Sequence, residues 1–120
     1  MLKEEKSRKA GLIAITSTGG SLEALVSEQF GRCPYFLIVD PQTMKFEAVS
    51  NLGEQMQSGA GPKAAELIIS KGAKVILTGR VGDKAEEVLK RGGIKIMDGL
   101  KASVKVRDAV NIYLSQEKGD

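Results

Sequence analysis

The chain has 120 residues, 42% of them hydrophobic and 28% charged, with eighteen basic residues against fifteen acidic ones for a formal net charge of +3; this balance excludes a disordered chain and is too mild and scattered to mark a nucleic-acid surface. It contains no histidine and a single cysteine, which excludes an internal disulfide, Ser-His-Asp or Cys-His catalysis, and an imidazole-held metal. No apolar run approaches the roughly 20 residues of a membrane span and no signal-type segment follows the charged start, so the expectation is a cytoplasmic protein without a membrane or nucleic-acid partner.

Residues 1–10 read as a charged flexible arm, 11–116 as a single domain and 117–120 as a tail. Residues 11–17 (GLIAITS) are short, apolar and bounded by glycine-rich sequence, as in a buried central strand. Residues 18–31 read as loop with a helical turn around Leu22 to Leu25. Residues 34–40 form a second strand. Asp40-Pro41-Gln42-Thr43 is a tight turn, and residues 45–50 alternate polar and apolar, so the two strands make an antiparallel hairpin. After a Gly- and Gln-rich loop, Pro62 opens a helix over 62–71 that turns Ala65, Ile68 and Ile69 inward and stops at Gly72. A strand over 74–78, a helix over 82–91 and a short strand over 94–97 follow. A last helix over 104–114 carries Val106, Ala109, Val110, Tyr113 and Leu114 at helical spacing.

This order predicts a mixed five-stranded sheet with strand order 3-2-1-4-5, strand 2 antiparallel, and helices on both faces. Such a sheet gathers residues 16–22, 29–33, 51–61, 79–83 and 97–101 at one edge. Ligands of open α/β sheets usually bind beyond the carboxyl ends of the strands. The candidate cofactor-binding residues at that edge are Gly19, Gly20, Gln29, Gly31, Arg32, Cys33, Gly59, Ala60, Gly61, Gly79 and Arg80. The glycines let backbone approach a ligand closely, and helices starting near Gly61 and Gly82 aim N–H groups at the same region. Cys33 is the candidate metal ligand, held extended by Pro34, with the neighbouring Arg32 as the charge that would favour its thiolate. Each feature also has a plain reading: turns for the glycines, a packed core residue for Cys33, a solvated charge for Arg32.

The segments SEQFGRCPYFLIVD, NLGEQMQSGAGPKAAELIISKGAKVILTGRVGDKA and GGIKIMDG, with the final helix reaching Tyr113, resemble the dinitrogenase iron–molybdenum cofactor-binding (NifX-like, NifB C-terminal-like) domains over residues 11–114. The resemblance implies a ribonuclease-H-like three-layer α/β fold. It also implies a non-catalytic carrier of an anionic metal–sulfur cofactor, iron–sulfur or iron–molybdenum in type, working with cofactor-assembly proteins as a monomer or weak homodimer. Many members carry a histidine just before the Phe-Gly pair; here Gln29 stands there, a far poorer iron ligand. Cys33 could substitute, since thiolates are the usual iron–sulfur ligands, although one thiolate cannot build a four-cysteine site. The alternative is a small regulatory module that binds a phosphate-containing ligand or a protein partner through the same glycine-rich edge. A nuclease is disfavoured: the first strand carries no carboxylate, and Asp40 falls at the opposite edge from Asp83 and Asp98.

Overall fold

A computed structural model describes residues 11–118. The arm expected over residues 1–10 lies outside the described residues. The strands are β1 (Leu12–Ser17), β2 (Tyr35–Val39), β3 (Phe46–Ser50), β4 (Ala73–Leu77) and β5 (Lys95–Met97), and the helices α1 (Ala60–Ser70), α2 (Asp83–Arg91) and α3 (Val106–Lys118). A short 3-10 turn, Leu52–Gln55, precedes α1. The sheet order is β3-β2-β1-β4-β5. β2 runs antiparallel to β1 and β3, while β1, β4 and β5 run parallel.

The alternating pleat splits the core into two layers. Ala14, Phe36, Ile38 and Ile76 face the side covered by α1 and α2, where Ala64, Ala65, Ile68, Ala85 and Leu89 pack against them. Ile13, Ile15, Leu37, Val39, Val75 and Leu77 face α3 and its Val106, Ala109, Val110 and Tyr113. Each such Leu, Ile or Val contributes about 1.5–3 kcal/mol by leaving water. Central strands buried on both faces explain why 11–17 and 34–40 read as continuous apolar runs. The edge strand β3 is exposed or half-exposed along its length, which explains its mixed composition. The ribonuclease-H-like three-layer α/β arrangement is therefore the observed one, and no helix among the described residues is long and apolar enough to cross a membrane.

Three local expectations change. The turn expected around Leu22 to Leu25 is a single one over residues 21–24 and does not continue through Leu25. Ala24 N donates to Ser21 O at 3.1 Å, and Leu25 and Val26 then bridge to Lys105 and Ser17, because Leu22 and Val26 are drawn beneath α3 into the second core layer. The helix expected from Pro62 starts two residues earlier, at Ala60, with Gly59 in the left-handed region as its N-cap. Pro62 still falls in the first turn, where its missing N–H costs nothing. α3 runs on to Lys118, past the expected end at 114 and through the start of the expected tail, since nothing before Gly119 stops it.

Candidate functional site

The parallel run of β1, β4 and β5 brings the segments that follow them to one edge of the sheet, and the loop after β3 joins them there. Residues 28–30 lie beside 79–80: Gln29 pairs with Arg80 in a parallel bridge, Phe30 N donates to Arg80 O at 3.0 Å, and Arg80 N donates to Glu28 O at 2.7 Å. Gly79 is required by this approach, because a Cβ there would sit 2.5 Å from Glu28 O. Beyond the bridge the Phe30 ring enters the core, 5.3 Å from the Phe36 ring. The chain then turns so that Gly31 lies against α1; a Cβ on Gly31 would come within 3.0 Å of the Gly61 backbone, and one on Gly61 within 3.0 Å of Ala85 Cβ. Small residues therefore let the 30–32 loop, α1 and α2 meet.

Their meeting leaves a cleft of about 340 Å³ walled by Phe30, Gly31 and Arg32, by Ala60 to Pro62, and by Gly82 to Ala85. Both helices begin in it, and no side chain caps either one. The first helical bonds are donated by Lys63 to Gly59 O and by Glu86 to Gly82 O. The N–H groups of Ala60, Gly61, Asp83 and Lys84 precede those bonds and point outward from the helix ends. The aligned peptide dipoles add positive potential there. Lys84 adds a positive charge, and Asp83 is the one acidic residue in the wall. This arrangement favours an anion approached by backbone N–H groups rather than by metal-coordinating side chains.

The predicted residues divide. Gly31, Arg32, Ala60 and Gly61 line this cleft; Gln29, Gly79 and Arg80 line a second one of about 290 Å³ with Glu28, Gly99, Leu100 and Lys101. Gly19 and Gly20 line neither. Gly19 N donates to Ser17 Oγ at 3.2 Å, and Gly20 packs toward Ala48 on β3. Gly59 supplies the left-handed N-cap of α1, at φ 76°, without lining either cleft.

Cys33 is not at the rim. It is fully buried in the core layer under α1 and α2. Its thiol donates to Phe30 O at 3.4 Å, and burial pushes its pKa up to about 12. The thiol expected from the sequence to meet a metal is therefore enclosed rather than presented at the edge, and it lines neither cleft. Cys33 precedes β2, in the segment after Phe30 that passes under α1, and shares its core layer with Phe30, Phe36 and Ile68. Arg32 does not serve the sulfur either. Its guanidinium donates to the carbonyls of Glu54 at 3.0 Å, of Met56, and of Gln57 at 3.4 Å, tying the loop before α1 to the cleft. Among the described residues no group of three or more His, Cys, Asp or Glu could hold a metal ion.

Asn51, Asp83 and Lys84 were missed by the reading of the sequence. Asn51 had a signal: an Asn directly before a Gly-containing turn is a favoured N-cap, and its side chain does accept from Gly53 N. The positions of Asp83 and Lys84 in the wall follow only from where α2 starts.

The family model for the dinitrogenase iron-molybdenum cofactor matches residues 10–116. Among solved structures, the chain is similar to the apo form of the orange protein from Desulfovibrio gigas, with 40% identity over 88% of both chains and a TM-score of 0.84. It is also similar to a putative NifB protein from Thermotoga that belongs to the DUF35 family, with 30% identity over 88% of both chains and a TM-score of 0.75. No curated protein matches.

Proposed function

Because the chain belongs to the dinitrogenase iron-molybdenum cofactor family, we propose that it is a non-catalytic carrier of a preassembled anionic metal–sulfur cluster, seated in the cleft between the 30–32 loop and the starts of α1 and α2. The observation that carries this reading is the convergence of two helix N-termini, neither capped by a side chain, on one cleft with Gly31 at its wall. The donor set fits a cluster that arrives with its own sulfur ligands. Backbone N–H groups and Lys84 can hydrogen-bond bridging or terminal sulfide, whereas no side chain of the wall offers a thiolate or imidazole. Cargo held this way exchanges without breaking a protein–metal bond, which suits transfer to and from cofactor-assembly proteins. The chain would act in such transfers as a monomer or weak homodimer. The relationship to a protein known in an apo form supports reversible occupancy.

The test is anaerobic titration of the chain with a preformed iron–molybdenum–sulfur cluster, followed by gel filtration and visible absorption. The expected result is co-elution of the chromophore with the protein, retained in Cys33→Ala and lost in Gly61→Val, which would place side-chain atoms between α1 and Ala85. A chromophore that never co-elutes removes the carrier reading. A chromophore lost on Cys33→Ala with the fold intact restores the thiolate as its ligand.

A further inference from the structure

The second cleft shares no wall residue with the first. Its floor is rigid backbone: Arg80 N donates to Glu28 O at 2.7 Å, Gly99 N to Gly79 O at 2.8 Å and Leu100 N to Thr78 O at 3.1 Å. Glu28 is the only acidic residue in its wall, and that carboxylate is already engaged, accepting from Ala102 N at 2.7 Å. Arg80, Lys101 and Gln29 are exposed around the opening and make no side-chain hydrogen bond or ion pair among the described residues. Elsewhere on the surface, Lys71, Lys95, Lys105 and Arg107 are each held by a carboxylate. Two uncommitted cations and an uncommitted amide thus surround a pre-formed polar cleft of about 290 Å³.

We propose that this cleft is a second anion site, separate from the cluster cleft, that takes a phosphate group, either as the free ion or as a monoester. Arg80 supplies the planar fork that matches two phosphate oxygens, Lys101 a mobile point charge, and Gln29 a neutral donor. The Glu28 carboxylate, held by Ala102 N, ties down the 100–102 loop that brings Lys101 into the same wall as Arg80. No helix begins in this wall, so recognition rests on side chains, in contrast to the backbone recognition of the first cleft. The site does not depend on the carrier reading; it stands or falls on its own ligand.

The experiment is an NMR titration of the 15N-labelled full chain with inorganic phosphate and, separately, with adenosine monophosphate, each against sodium chloride at equal ionic strength. Saturable shifts are expected at the amides of Gln29, Arg80, Gly99 and Lys101, with none from chloride. Arg80→Ala and Lys101→Ala, both at exposed positions, should each weaken the binding about tenfold while leaving the far-UV circular dichroism unchanged. The probe that saturates at the lower concentration identifies the source as free ion or ester. Saturable shifts confined to Gly31, Gly61 and Lys84, saturable binding that survives the double substitution, or no saturation by either probe would each overturn the proposal.

Discussion

Asn51 Nδ2 donates to the carbonyls of both Gly31, at 3.0 Å, and Cys33, at 2.9 Å, while Asn51 Oδ1 accepts from Gly53 N at 3.0 Å. One buried amide therefore fastens the loop after β3 to the loop that walls the first cleft. Asn51→Ala leaves two carbonyls and one N–H short of partners and should cost about 2–3 kcal/mol. Asn51→Asp should cost more, because a carboxylate faces two carbonyl oxygens it cannot donate to. Urea denaturation measures both, and a loss under about 0.5 kcal/mol would show that water replaces the amide without penalty.

Arg32 holds the same loop from the solvent side, through the carbonyls of Glu54, Met56 and Gln57. The contact is exposed, so Arg32→Ala should leave global stability within about 0.5 kcal/mol of the parent. Local opening should change instead, with amide exchange of residues 54–57 rising about tenfold and that of β1 unaltered. Unchanged exchange in the loop would mean that Asn51 alone secures it.

Burial raises the Cys33 thiol from an ordinary value of 9.0 to about 12 in the folded chain. A raised folded pKa contributes stability that is fully present below the unfolded value and is lost as pH climbs from there toward the folded one. Between about pH 9 and 12 the wild-type chain should therefore lose up to about 1.4 kcal/mol per pH unit more than Cys33→Ala does. Parallel stability profiles over that range would contradict a neutral buried thiol. By the same reasoning, thiol alkylation at neutral pH should be slow and should accelerate only in denaturant.

Asp83 sits in the first turn of α2 and in the wall of the first cleft. There it favours the helix start but opposes an incoming anion. Asp83→Asn should slightly weaken the helix, by about 0.3–1 kcal/mol, and should strengthen binding of an anionic cluster several-fold at low salt, with the gain shrinking as salt is added. Titrations at two ionic strengths read both effects; weaker binding on removal of this charge would place the anion elsewhere.

Much of the architecture was legible from residue order. The apolar runs 11–17 and 34–40 read as strands buried on both faces, and the Asp40-Pro41 turn paired the second of them antiparallel with residues 45–50. Glycines at 72, 79 and 92 marked where elements stop or crowd together. The site was legible only in part. That segments around Gly31, Gly61 and Gly79 meet at one edge follows from strand order. Which of them face a common cleft does not, because a displacement of one residue along a strand or helix start moves a side chain to another face. Cys33 shows the difference: its neighbours Arg32 and Pro34 suggested a reactive thiol, yet the burial that governs its chemistry comes from residues far along the chain, among them Ala64 and Ile68 of α1.

Taken alone, the sequence determined the layer order, the edge where loops collect and the absence of imidazole chemistry, since each depends on local periodicity, turn chemistry or composition. Only the tertiary structure decided that the thiol is enclosed, that Arg32 braces a loop, and that two helix ends and two cations border separate clefts. Burial and proximity are sums over contacts between distant residues, and those sums exist only once the chain has packed.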